Sequence, residues 1–176
     1  MVGKDRFTKH IPRLQAFATA LTGDAALAED LVQEAYLRAL RAKQMPIEEA
    51  AIRSWMFKIL RHAFIDHLRR QRRLETFFAT EEVDEGRLED SDVWSAVDRT
   101  IDAITIRQAF QKLSGRQREI LGLVDLSGLS YAEAAEVLEV PVGTVMSRVS
   151  RARRAMVSTL AGSNIVPVAR RRSEQR

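Results

Sequence analysis

Three observations predict an all-α fold for this 176-residue chain, laid out as two small helical domains joined by an acidic linker. Breakers are few, with 8 Gly and 4 Pro, while the strong helix formers Ala, Leu, Arg and Glu are abundant. Apolar residues recur every three or four positions outside 74–102, the period of a helix with one buried face. Charge falls in blocks: residues 1–73 hold 14 Lys+Arg against 8 Asp+Glu, residues 74–102 hold 2 against 10, and residues 103–176 hold 12 against 6. The length suits one medium domain or two small ones, and the charge blocks favour two.

The same composition excludes several classes. No apolar run approaches the ~20 residues of a membrane span. The start, MVGKDRFTKH, lacks the apolar core of a signal peptide, which points to a cytoplasmic protein. Cysteine is absent, so neither disulfides nor thiolate-bound zinc are available. Two basic blocks suggest a polyanion partner, although charge alone favours solvated helix faces.

The first helix is expected from Lys4 to Leu21, with Phe7, Ile11, Leu14, Phe17, Ala18 and Leu21 on one side. Thr22-Gly23 breaks it, and Asp24 is placed to cap the next helix. That second helix runs from Ala25 to about Ala42 and buries Leu27, Ala28, Leu31, Ala35 and Ala39. After the loop Lys43–Glu49, the third helix runs from Ala50 to Arg73, with Ile52, Trp55, Met56, Ile59, Ala63 and Phe64 inward. Three such helices close a small core over residues 1–73. Residues 74–102 are too polar to bury a face and read as a linker, in which Val93, Trp94 and Val97 are the candidates for docking elsewhere.

The second domain, 103–162, opens with a helix from Ile104 to Leu113. Ser114-Gly-Arg-Gln117 is a capping box that starts the next, to about Leu126, and Ser130-Tyr-Ala-Glu133 is another. Tyr131–Leu138, the turn Glu139-Val140-Pro141 and a helix from Val142 to about Leu160 then compose a helix-turn-helix. Val145, Val149, Ala152 and Met156 face inward, and Ala135 is small where the helices cross. The outward face collects Thr144, Ser147, Arg148, Arg151 and Arg154. Hydroxyls at a positive helix N-terminus approach phosphates or base edges, and the arginines reach backbone or guanine. Capped helix pairs also occur in plain bundles, so a solvated bundle helix is the competing reading, and the arginines and Pro141 favour DNA. Residues 163–176 form a basic tail.

The stretch LSGLSYAEAAEVLEVPVGTVMSRVSRARRAM resembles the fourth conserved region of the sigma-70 family of bacterial RNA polymerase initiation factors. LTGDAALAEDLVQEAYLRAL and IRSWMFKILRHAFIDHLRRQRR resemble its second region. The two stretches stand in the family's order, and the short two-domain plan is similar to the extracytoplasmic-function group. ALTGD…EDLVQEA and FTKHIPRLQAFA are most similar to the alphaproteobacterial general-stress type.

The resemblance implies a non-enzymatic role: binding core RNA polymerase and starting transcription at specific promoters. It implies that Asp30, Gln33, Glu34 and Arg38 grip the clamp helices of the β′ subunit, with further contacts to the β subunit. It assigns the non-template −10 strand to the third helix, where Arg61, His62, Asp66, Arg69, Arg70 and Arg73 lie. It assigns −35 recognition to Thr144, Ser147, Arg148, Arg151 and Arg154. It also implies an anti-sigma partner that covers these surfaces, and no cofactor. The acidic linker reads either as an occupant of the RNA path or as a plain tether. Two positions depart from the family: His62 stands where many members have Asn, and Met146 where many have Arg or Lys. Trp55 matches a family position, but its spacing places it with the core.

Rival readings are narrower. His62, Asp66 and His67 share a helix, but no third or fourth metal ligand accompanies them, so no metal site is expected. No phosphate-binding Gly loop, nucleophile motif or paired carboxylates suggest an enzyme. A sigma-like decoy that sequesters an anti-sigma factor is the alternative function. The arginines facing outward at 148, 151 and 154 count against it.

Overall fold

The computed structural model describes residues 3–78 and 101–162, all of whose regular elements are helical. The expected linker core and the basic tail lie outside the described residues.

The N-terminal segment forms two helices, α1 (Gly3–Thr8) and α2 (Ile11–Thr22), rather than the single one expected from Lys4 to Leu21. Pro12 explains the break: it lacks an N–H and its ring clashes with the carbonyl four residues back. The chain turns at Lys9-His10, and Phe7 still reaches the core. Gly23 then ends α2 in the left-handed conformation, φ 72°, with its N–H on the Thr19 carbonyl. Asp24 caps α3 (Ala25–Arg41) by accepting from the Leu27 N–H at 3.2 Å.

α4 spans Glu49–Phe78, five residues beyond the expected end, because no Gly or Pro interrupts residues 74–78. It buries more than one stripe. Ile52, Met56 and Ala63 are buried as expected, and so are Phe57 and Leu60. Phe57 lies 5.5 Å from Phe17, ring centre to ring centre, and Trp55 packs 6.2 Å from Phe7.

The C-terminal half comprises α5 (Ile101–Gln111), α6 (Gly115–Leu121), α7 (Tyr131–Leu138) and α8 (Val142–Gly162). The helix expected to continue to Leu126 widens after Leu121 into a π-helical segment, Gly122–Leu126. Both capping boxes form: Ser114 with Gln117, and Ser130 with Glu133. Glu139 closes α7 at φ 56°, a left-handed conformation unusual for a residue other than glycine.

The two halves share one continuous hydrophobic core. α4 is flanked by α3 and α2 on one side and by α7 on another, while α2 also meets α6 and the π-helical segment. The approach at Gly122 is close enough that an added Cβ would stand 3.0 Å from the Ala20 Cβ and 3.1 Å from a Phe17 ring carbon. Nearby, the Ser127 hydroxyl donates to the Arg13 carbonyl at 3.2 Å.

Candidate nucleic-acid interface

The helix-turn-helix is built by the Ser130 box at one end and the left-handed Glu139 at the other. Val145, Val149 and Ala152 bury one side of α8 against the rest of the domain. The opposite side exposes Met146, Ser147, Ser150, Arg151 and Arg154, with Thr144 and Arg148 half-buried at its flank. The Ser147 hydroxyl donates to the Thr144 carbonyl at 2.9 Å, and Arg151 Nε donates to the Ser147 carbonyl at 3.3 Å. Among the described residues, no carboxylate forms an ion pair with Arg148, Arg151 or Arg154. Arg153 differs. Asp125 of the π-helical segment takes its guanidinium in two hydrogen bonds, 2.6 and 3.1 Å, which raise its pKa above the ordinary arginine value. Arg153 therefore ties α8 to its own domain while its neighbours stay open to an anion.

On α3, Asp30 and Gln33 are exposed, and Gln33 reaches Glu29 at 3.4 Å. Glu34 and Arg38 are half-buried in an ion-pair network with α4: Arg38 bonds Glu34 and Asp66, the latter at 3.1 Å, and Arg70 lies 3.8 Å from Glu34. Burial opposes the Arg38 charge, but the hydrogen bonds to Glu34 and Asp66 outweigh it and raise its pKa. Residues assigned to two separate surfaces in sequence thus meet in one network. Leu37 and Leu40 stand exposed beside it, at 47% and 40%, and were not among the sequence candidates. Two large apolar groups outside the buried stripe were the signal available for them.

The α4 candidates divide in three. His62, Arg69 and Arg73 are exposed, as is Arg70, whose Nε donates to the Asp66 carbonyl at 3.4 Å. Asp66 turns to Arg38. Arg61 turns the other way and donates through Nε to Glu119 of α6 at 2.8 Å, with both side chains largely buried. Arg61 belongs to a row the sequence reading missed. Arg53 pairs with Glu133, the Ser54 hydroxyl donates to Glu136 at 2.7 Å, and Lys58 pairs with Glu139. Burial would raise the Glu133 pKa, but Arg53 and the Ser130 bonds hold it below the usual carboxylate value. Met45 and Ile47 are exposed in the loop before α4, where the Ile47 carbonyl accepts from Arg6. Among the described residues, no three His, Cys, Asp or Glu side chains gather as metal ligands, and no helix is long and apolar enough to cross a membrane.

Two family descriptions match the chain in order: Sigma-70 region 2 over residues 6–74 and Sigma-70 region 4 over residues 103–156. The chain is 36% identical over 157 residues to the ECF RNA polymerase sigma factor EcfG of Rhodopseudomonas palustris, covering 89% of this chain and 84% of that one. It is 38% identical over 141 residues to the ECF RNA polymerase sigma factor SigC of Mycobacterium tuberculosis, covering 79% and 73%. Its fold is similar to that of the sigma factor RpoE of Bartonella quintana, solved in complex with the anti-sigma factor NepR, at TM-score 0.67 and 28% identity over 91% of this chain and 97% of that one. It is also similar to CnrH, solved in complex with the cytosolic domain of CnrY, at TM-score 0.57 and 25% identity over 92% of each chain.

Proposed function

This chain belongs to the sigma-70 family, in its extracytoplasmic-function group of RNA polymerase sigma factors, and from that membership we propose that it binds core RNA polymerase in the cytoplasm and directs promoter-specific initiation. In this reading α8 reads the −35 duplex through Thr144, Ser147, Arg148, Arg151 and Arg154. α4 holds the opened −10 strand through His62, Arg69, Arg70 and Arg73, joined by Arg61 once it leaves Glu119. Asp30, Gln33, Glu34 and Arg38 grip the β′ clamp helices, and Asp66 acts through Arg38 by holding it in place. The exposed pair Leu37 and Leu40 adds apolar contact to that grip. The second region contacts promoter and polymerase from its own helices, and the fourth adds β-subunit contacts. The general-stress type fits the likeness to EcfG and to the NepR-bound RpoE, and an anti-sigma factor is the expected regulator.

The observation that carries this reading is the Arg148, Arg151 and Arg154 face of α8, free of carboxylate partners among the described residues while Arg153 beside it is tied down. Basic groups held outward on the second helix of a helix-turn-helix supply both phosphate and base-edge contacts. Run-off transcription with core polymerase and a promoter library tests it. Transcripts starting downstream of a shared pair of −35 and −10 sequences are expected. Arg148→Ala should weaken promoter binding about five- to hundredfold while polymerase binding persists. Anti-sigma capture with no transcript would instead identify the decoy.

A further inference from the structure

Met146 is the feature of α8 that the proposed contacts leave unused. It lies one residue after the buried Val145, yet it is 54% exposed. Val142, one turn earlier, is 43% exposed. The two stand at i and i+4 and so share a flank of the first turns of α8. Their surroundings on the outward side are short: Gly143, Ser147 and Ser150. A Cβ built on Gly143 would meet nothing within 4 Å, so packing inside this chain does not demand a glycine there. Short side chains let a helix backbone come close to the floor of a major groove. In that setting Met146, long and unbranched, is the larger of the two exposed apolar side chains at this end of the helix. Arg151 and Arg154, on the same outward side, supply the charge that draws the face onto a polyanion.

In the major groove, the apolar feature that distinguishes one base pair from the others is the C5-methyl of thymine. We infer that Met146, supported by Val142, reads one or two thymine methyls in the −35 duplex, so that a methionine at this position confers specificity rather than merely lacking a charge. The inference rests on the reading of α8 as the −35 helix.

Replacing single −35 thymidines by deoxyuridine removes one methyl and leaves the hydrogen-bonding edge of the base intact. With holoenzyme made from core polymerase and the full chain, one or two such replacements should weaken promoter binding about three- to fivefold, the range expected for one buried methyl. Met146→Gln keeps length and flexibility but is polar. It should bind the thymidine promoter no better than the matching deoxyuridine promoter, and its thermal unfolding should match the parent because the side chain is exposed. Equal binding of thymidine and deoxyuridine at every −35 position by the parent overturns the inference, as does discrimination that survives Met146→Gln. In either case the functional reading stands if a scrambled −35 element still loses binding. If scrambling has no effect, that reading falls as well, and the inference falls with it.

Discussion

Single residues set the stability of this protein through their size and titration. Gly122 sits where its π-helical turn meets α2, and Phe17 is fully buried against Phe57, so its ring has no room to yield. Alanine usually favours a helix over glycine by about 1 kcal/mol, but overpacking a rigid contact costs about 1–3 kcal/mol. The clash should win, and Gly122→Ala is expected to lower stability in urea unfolding. A variant as stable as the parent would show that α2 and the π-helical turn yield easily. His10 is buried with Nε2 2.9 Å from a Glu49 oxygen. Burial lowers its pKa below the usual 6.5 despite the pull of Glu49. Folded His10 then binds a proton less readily than unfolded His10. Its contribution to stability is intact above 6.5 and is lost as pH falls from there through the lowered folded value. His10→Gln should flatten unfolding midpoints across that window. The loss from Glu133, whose pKa is held below 4.5, begins only at more acid pH.

Elements show which local signals suffice. The caps at Asp24, Ser114 and Ser130 were legible because an oxygen and the N–H it serves lie within three residues. The break between α1 and α2 was written equally locally, in Pro12, but the apolar stripe from Phe7 to Leu21 runs through it and reads as one helix. The second buried side of α4 was not legible, since Phe57 and Leu60 fall off the expected stripe and are covered by partners distant in sequence. α3 offers the test at this scale. Asp30→Lys together with Glu34→Lys should abolish polymerase association in pull-down with core enzyme. Circular dichroism should remain helical, because Asp30 is exposed and Glu34, although half-buried, lies outside the apolar core. Retained association would remove α3 from the polymerase contact.

At the scale of the molecule, the acidic row Glu119, Glu133, Glu136 and Glu139 faces Arg53, Ser54, Lys58 and Arg61 across the halves. A guanidinium bonded to Glu119 through Nε has less to offer a phosphate. Glu119→Gln weakens that bond and should tighten binding of single-stranded −10 DNA by the full chain severalfold at low salt, with the gain shrinking as salt screens it. Unchanged affinity in a fluorescence titration would mean Arg61 takes no part in holding the strand.

The sequence by itself determined most of the helices, three of their caps, the helix-turn-helix and the family, because each rests on spacing within a few residues or on motifs read in order; the break at Pro12 and the π-helical turn escaped it. Only the tertiary structure decided what those helices face. Arg61 and Glu119 are 58 positions apart, and each reads alone as a solvated polar group. Arg38 and Asp66, 28 apart, were assigned to different surfaces until α3 and α4 packed side by side. Complementary charge across such distances leaves no periodic trace in a chain. It exists only once apolar burial has brought the two helices together.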